Sequence, residues 1–213
     1  MKIQVLVDNI NSWVLPYAVD LVDLIKIRKI DVSLIHAHEE IAKGDILVLL
    51  SCEQILKKFE YNTYNLVVHA SDLPKGRGWS PLTYGILEGK NKIPLTLFEA
   101  AEKVDAGKVY LKDSILLEGH ELIDEARVKL ALKSNELILR FIDQYPNVKG
   151  VEQEGEPTYY PKRKPEDNEL DIHKTILEQI NDLRVSDNNR YPSYFYYLGQ
   201  KYILKIEKDA KGN

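Results

Sequence analysis

Four short apolar runs in the first seventy residues constrain the fold of this chain more than any other feature. They are residues 3–7 (Ile-Gln-Val-Leu-Val), 31–36, 45–51 (Asp-Ile-Leu-Val-Leu-Leu-Ser) and 65–69. Each has the length of a strand, and near-continuous apolarity is what strands buried on both faces of a parallel sheet require. After the first run, residues 13–28 place Val14, Ala18, Leu21, Val22 and Ile25 on one helical face. Pro16 falls in the first turn of that helix, where a missing N–H is tolerated. The polar residues 8–12 ahead of it supply capping chemistry. Strands alternating with helical patterns give an α/β domain, Rossmann-like, with a parallel-type sheet covered on both faces. A Gly-x-Gly-x-x-Gly fingerprint is missing after the first strand, which speaks against a nicotinamide dinucleotide.

The remaining chain divides by texture. Residues 80–88 read as a short helix, 94–98 as extended, and 99–104 as a turn or short helix. Residues 120–145 space Ile123, Ala126, Leu130, Leu137, Phe141 and Tyr145 along one face of a long helix stopped by Pro146. Residues 147–168, rich in Glu, Gly, Pro, Lys and Tyr, read as irregular. A helical pattern returns over 171–185 (Ile172, Ile176, Ile180, Leu183). A hairpin follows over 194–206 around Leu198-Gly199-Gln200-Lys201. The tail 208–213 is expected to fray. The predicted organisation is a domain over 1–149 and a small module, helix plus β-hairpin, over 150–213.

The net charge of −4 argues against a bulk nucleic-acid binder, and the one dense basic cluster, Lys162-Arg163-Lys164, reads as a solvated loop. A single cysteine, Cys52, rules out an intramolecular disulfide and a thiolate zinc cluster, which fits a reducing cytoplasm. No signal peptide is visible and no window approaches the ~18 apolar residues of a membrane span. His36-x-His38 with Glu39-Glu40 offers no third ligand at a suitable spacing, so no metal is expected.

The chemistry concentrates where the fourth apolar run ends. Val67-Val68-His69-Ala70-Ser71-Asp72-Leu73-Pro74-Lys75-Gly76-Arg77-Gly78-Trp79-Ser80-Pro81 begins as a strand and finishes as a polar, glycine-containing loop. Parallel α/β sheets take their ligands at the carboxyl ends of strands, where His69 sits. Period-2 alternation puts Asn65, Val67 and His69 on one face. The loop adds a cation (Arg77), flexible backbone (Gly76, Gly78) and a flat aromatic (Trp79), a set that suits a polar, partly planar substrate. Asp105 precedes Ala106-Gly107, 36 residues after His69. A carboxylate that orients an imidazole is the usual arrangement for general-base work.

These residues together resemble the 10-formyltetrahydrofolate-dependent formyltransferases. The family includes methionyl-tRNA formyltransferase, glycinamide ribonucleotide transformylase and the nucleotide-sugar N-formyltransferases. The family pattern Asn-x-His-x-Ser-Leu-Leu-Pro, then Arg-Gly, a Pro and a later Asp-x-Gly reads here as residues 67–74, Arg77-Gly78, Pro81 and 105–107. The Tyr159-Tyr160-Pro161-Lys162 segment resembles the stretch that follows the family core. The resemblance implies a formyl transfer from 10-formyltetrahydrofolate, with no metal. The substrate amine attacks the formyl carbon, His69 accepts its proton, and Asp105 orients His69. It implies a pterin against Leu50, Ser51, Cys52 and Ile55 on one side and Ala101, Glu102, Lys103 and Val104 on the other. For the amine substrate it implies Ser71, Asp72, Arg77, Gly78, Trp79, Tyr159 and Lys162. The family's catalytic Asn falls on Val67, which cannot donate a hydrogen bond. Asn11, from the loop topping the first strand, is placed ahead of Asn65 as its replacement. Length and the residues after 150 favour a nucleotide-linked dideoxy amino sugar as substrate, as in surface polysaccharide biosynthesis. A glycinamide-ribonucleotide- or methionyl-tRNA-type enzyme, or an inactive folate- or sugar-binding homologue, is the alternative. By analogy with the sugar enzymes the chain could form a homodimer.

Overall fold

The computed structural model describes residues 1–209, so the last four residues of the expected frayed tail lie outside it. The first half follows the sequence pattern closely. It runs β1 (Lys2–Leu6), α1 (Leu15–Ile27), β2 (Asp31–Ile35), β3 (Gly44–Leu49) and β4 (Asn62–His69). β2, β1, β3 and β4 pair side by side, all parallel. Beyond His69 come the two-residue β5 (Arg77–Gly78), α2 (Pro81–Leu87), β6 (Lys92–Glu99), β7 (Val109–Leu116) and α3 (Ile123–Gln144). β6 and β7 extend the sheet antiparallel, giving the order β2-β1-β3-β4-β6-β7. β7 was not anticipated from sequence. Its helix-facing side carries Tyr110, Leu111 and Ile115 across a bulge, but Asp113 interrupts the run, and its carboxylate pairs with Arg140 of α3 at 3.0 Å.

The sheet is covered on both faces, by different means. One face packs on the helices: Ile3, Val5, Ile46, Val48, Leu66 and Leu97 meet Leu21, Ile25, Ile138 and Phe141. The other face carries Leu6, Ile35, Leu47, Leu49 and Val67, and is closed by Ile41, Leu56, Phe59 and Ala100 from short turns and loops. Loops and short turns, not long helices, close the face on which β4 ends. Tyr145 takes an extended backbone ahead of Pro146, which ends α3 as expected.

After α3 the chain first returns to the core. Val151 bridges Val109, and β8 (Tyr159–Tyr160) pairs in parallel with β5. The helix expected over 171–185 is reduced to α4 (Ile180–Arg184) behind a 3-10 turn at Leu177–Gln179. Side chains capture the backbone here: Asp171 accepts from the His173 N–H, Gln179 bonds both backbone groups of Asp171, and Glu178 accepts from Thr175. Such local bonds offer an alternative to the helical ladder. Ile172 and Ile176 consequently remain exposed. The hairpin is present as β9 (Ser193–Tyr197) and β10 (Gln200–Leu204). No described helix is long and apolar enough to cross a membrane.

Candidate active site

β4 delivers His69 to the face of the sheet that loops and short turns close, where its ring meets Phe98 edge-on at 6.4 Å between centroids. The side chain is buried, and its Nε2 lies 2.8 Å from the carbonyl of Gly76. A carbonyl only accepts, so in this arrangement Nε2 carries the proton and Nδ1 keeps a lone pair. The Asp105 carboxylate stands 3.8 Å from the same Nε2, its side chain only 13% exposed, and its Oδ2 accepts the Gly78 N–H at 2.8 Å. Histidine, carboxylate and the Arg-Gly loop therefore converge on one spot.

Local backbone explains the residue types. Asp105 has φ +52°, a left-handed conformation that a non-glycine residue adopts at a cost. Gly107 has no space for a side chain, because a Cβ would stand 1.8 Å from the Glu99 carbonyl oxygen. The Asp-x-Gly pattern is thus a carboxylate set on a tight turn against β6. Gly78 (φ +97°) is pressed against Tyr160, whose carbonyl would meet a Cβ at 2.5 Å.

The remaining predicted residues fall into three groups. Ser71 and Arg77 are buried beneath the site: Ser71 Oγ is without a partner, and Arg77 donates to Gln153 Oε1 at 2.6 Å and to the Tyr159 hydroxyl at 3.5 Å. Trp79, Tyr159 and Lys162 form an exposed border, with the lysine ammonium 4.5 Å above the indole. Asp72 is exposed and pairs with Lys112 at 2.5 Å. Asn11 is exposed in the loop after β1, and no hydrogen bond joins it to His69 or Asp105. Asn65 is spent elsewhere, since its amide donates to the Phe59 carbonyl and to Glu99. Burial pushes the Glu99 carboxyl up, against the pull of the Tyr110 hydroxyl and of Asn65. Val67 sits half-buried in the apolar cluster of Leu49 and Leu56.

The two segments assigned to a pterin lie between β3 and β4 and just ahead of Asp105. Leu50 is buried, Ser51 has φ +53°, and Ile55 and Val104 expose apolar side chains. Ala101, Glu102 and Lys103 lead into Asp105. Cys52 Sγ lies 3.5 Å from the Leu6 carbonyl, and burial, with Asp8 nearby, pushes its thiol up to about 12. That leaves a packing thiol rather than a nucleophile. Asp8, which sequence reasoning passed over, braces the first loop by accepting the N–H groups of Glu53 and Gln54.

Known proteins resemble this chain in sequence and in fold. No protein-family model matches the chain. A methionyl-tRNA formyltransferase from Streptococcus suis is 31% identical over 151 residues, covering 68% of this chain and 47% of that protein. The chain belongs to the formyltransferase family. It spans about half the length of the curated relatives it matches. Among solved structures, a methionyl-tRNA formyltransferase from Clostridium thermocellum superposes with a TM-score of 0.80 at 22% identity, covering 99% of this chain and 95% of that one. A sugar N-formyltransferase from a Shewanella species gives 0.74 at 14% identity, covering 100% and 99%. HypX from Aquifex aeolicus, in complex with tetrahydrofolic acid, gives 0.78 at 19%, covering 100% of this chain and 39% of that one. At these identities the structures speak for the fold alone.

Proposed function

We propose that this chain is an N-formyltransferase that moves the formyl group of 10-formyltetrahydrofolate onto the amine of a nucleotide-linked dideoxy amino sugar. The observation that carries the reading is the convergence of His69 and Asp105 under the Arg77-Gly78 loop. The bound folate supplies an activated formyl group. His69 takes the proton that the attacking amine must lose, at Nδ1, while Nε2 stays on the Gly76 carbonyl; the same proton is then delivered to the folate nitrogen as its bond to the formyl carbon breaks. Between the two transfers Asp105 faces an imidazolium, and its negative charge stabilises it. The loop cover, once a ligand seats against it, excludes water and strengthens that charge pairing. Val67 supplies no donor for the oxygen that gains charge in the transition state. Asn11 is the side chain we assign to reach it, by movement of its exposed loop. Trp79, Tyr159 and Lys162 offer the aromatic faces and the cation that a nucleotide-linked sugar needs.

The sequence relatives favour a second reading, methionyl-tRNA as the acceptor. The charge balance of this chain weighs against it, because RNA backbones demand clustered Lys and Arg. Purified protein, 10-formyltetrahydrofolate and a panel of 3-amino and 4-amino nucleotide sugars, glycinamide ribonucleotide and methionyl-tRNA separate the readings by mass spectrometry. A one-formyl mass gain on an amino sugar is expected. Transfer to methionyl-tRNA alone selects the second reading, and transfer to no amine overturns both.

A further inference from the structure

We infer that Gln153 is the positioning residue that holds Asp105 against His69. Every polar group of its amide is engaged. Nε2 donates to the Asp105 carbonyl at 2.9 Å and to the Gly107 carbonyl at 2.8 Å, while Oε1 accepts from Arg77 at 2.6 Å. The two carbonyls bracket the turn that carries the carboxylate. Only an amide side chain donates two protons and accepts at the same time, so Glu, Lys and Ser cannot make this set.

The turn needs such a clamp. Its Asp105 is left-handed, which persists only where the surroundings over-determine it. Its far end is wedged by Gly107 on the Glu99 carbonyl, while at its crest one side chain among the described residues, Gln153, donates to its carbonyls. The same side chain serves Arg77, a buried guanidinium with no carboxylate within ion-pairing distance among the described residues. Gln153 therefore ties the two loops of the site together. This assignment rests on reading His69 and Asp105 as that pair.

Two variants separate its roles. Gln153→Glu keeps an acceptor for Arg77 and loses both donors to the turn, whereas Gln153→Met, close in volume, loses everything. Two readouts run in parallel on each folded variant, checked by thermal melting. One is kcat and KM for formyl transfer. The other needs no substrate: hydrogen exchange of the Gly78 amide, which reports the seat of the Asp105 carboxylate, against the Gly76 amide, which is held by Thr158. The expected result is a kcat lower by about tenfold to a hundredfold in both variants, with KM for the amine within twofold, because misplacing a reacting group costs rate more than affinity. Gly78 exchange should rise about tenfold or more while Gly76 exchange is unchanged. Wild-type exchange at Gly78 in Gln153→Glu, or an unchanged kcat, overturns the inference. Should the wild-type protein transfer formyl to no amine, the functional reading fails, and the exchange experiment alone still decides whether Gln153 seats Asp105.

Discussion

The two halves of the chain beyond α3 share a texture, polar and rich in tyrosine, and carry opposite structural roles. Residues 151–161 run as a strap across the candidate site. Gly76 N–H is held by Thr158 Oγ1 at 2.8 Å, Arg77 N–H by the Thr158 carbonyl at 2.9 Å, and Trp79 N–H by the Tyr160 carbonyl at 3.0 Å. The β9–β10 hairpin forms a two-stranded sheet of its own, and its tip residue Leu198 is 84% exposed. Similar composition therefore says little about duty. What separates the segments is where their backbone hydrogen bonds go: into the loop that carries the chemistry, or into each other.

Gly78→Ala should break the contrast most severely. The new Cβ would meet the Tyr160 carbonyl at 2.5 Å, and the backbone there is left-handed. Loss of the strap should lower kcat about a hundredfold or more and stability by about 2–3 kcal/mol, read from kinetics and denaturant unfolding. Retained activity would mean that the strap is dispensable.

Glu121 tests the root of the second segment. Its backbone carbonyl accepts from buried Arg184 of α4 at 3.1 Å. Burial pushes its carboxyl up, but Lys129 and the backbone N–H groups of Glu118 and Gly119 outweigh it and hold it at about 2. A depressed carboxylate stabilises the fold above its unfolded value of about 4.5, and the gain is lost as pH falls toward 2. Glu121→Gln should thus cost about 2 kcal/mol at pH 7, with the gap to wild type closing between pH 5 and pH 2. A pH-independent gap in unfolding midpoints would place the cost in packing instead.

Thr158→Val removes one clasp and keeps the strap's backbone pairing. About 1 kcal/mol and a several-fold fall in kcat are expected, by melting and steady-state kinetics. The smallest effect belongs to the hairpin: Leu198→Ser should leave stability within about 0.5 kcal/mol and kcat unchanged. A drop in kcat there would show that the hairpin serves the site, and the contrast would fall.

The parallel half of the sheet was legible in the sequence because its central strands are apolar on both sides and its first helix is periodic. The antiparallel half was less so. β7 hides behind Asp113, a polar residue that faces α3 and finds Arg140 there, a contact invisible to a rule based on apolar spacing. Residues 171–185 failed in the opposite sense, since apolar spacing at Ile172 and Ile176 met local side-chain bonds that held the chain in turns. At the site, His69, Asp105 and the Arg77-Gly78 loop could be read from motif spacing. Gln153 and Thr158 could not: each acts through a hydrogen bond to a residue 46 or more positions away. The Tyr-Tyr-Pro-Lys run was visible, but not that its backbone would pair with the Arg-Gly loop.

The central claim is that His69 and Asp105 act as one unit in formyl transfer. A double-mutant cycle on the single-turnover rate, with His69→Ala, Asp105→Ala and the pair together, tests it directly. Each single variant should lose on the order of a hundredfold to ten-thousandfold, and the double should be little slower than the worse single, because residues that work as a unit are not additive. Losses that simply multiply, or a His69→Ala protein that transfers formyl at the wild-type rate, would contradict the account.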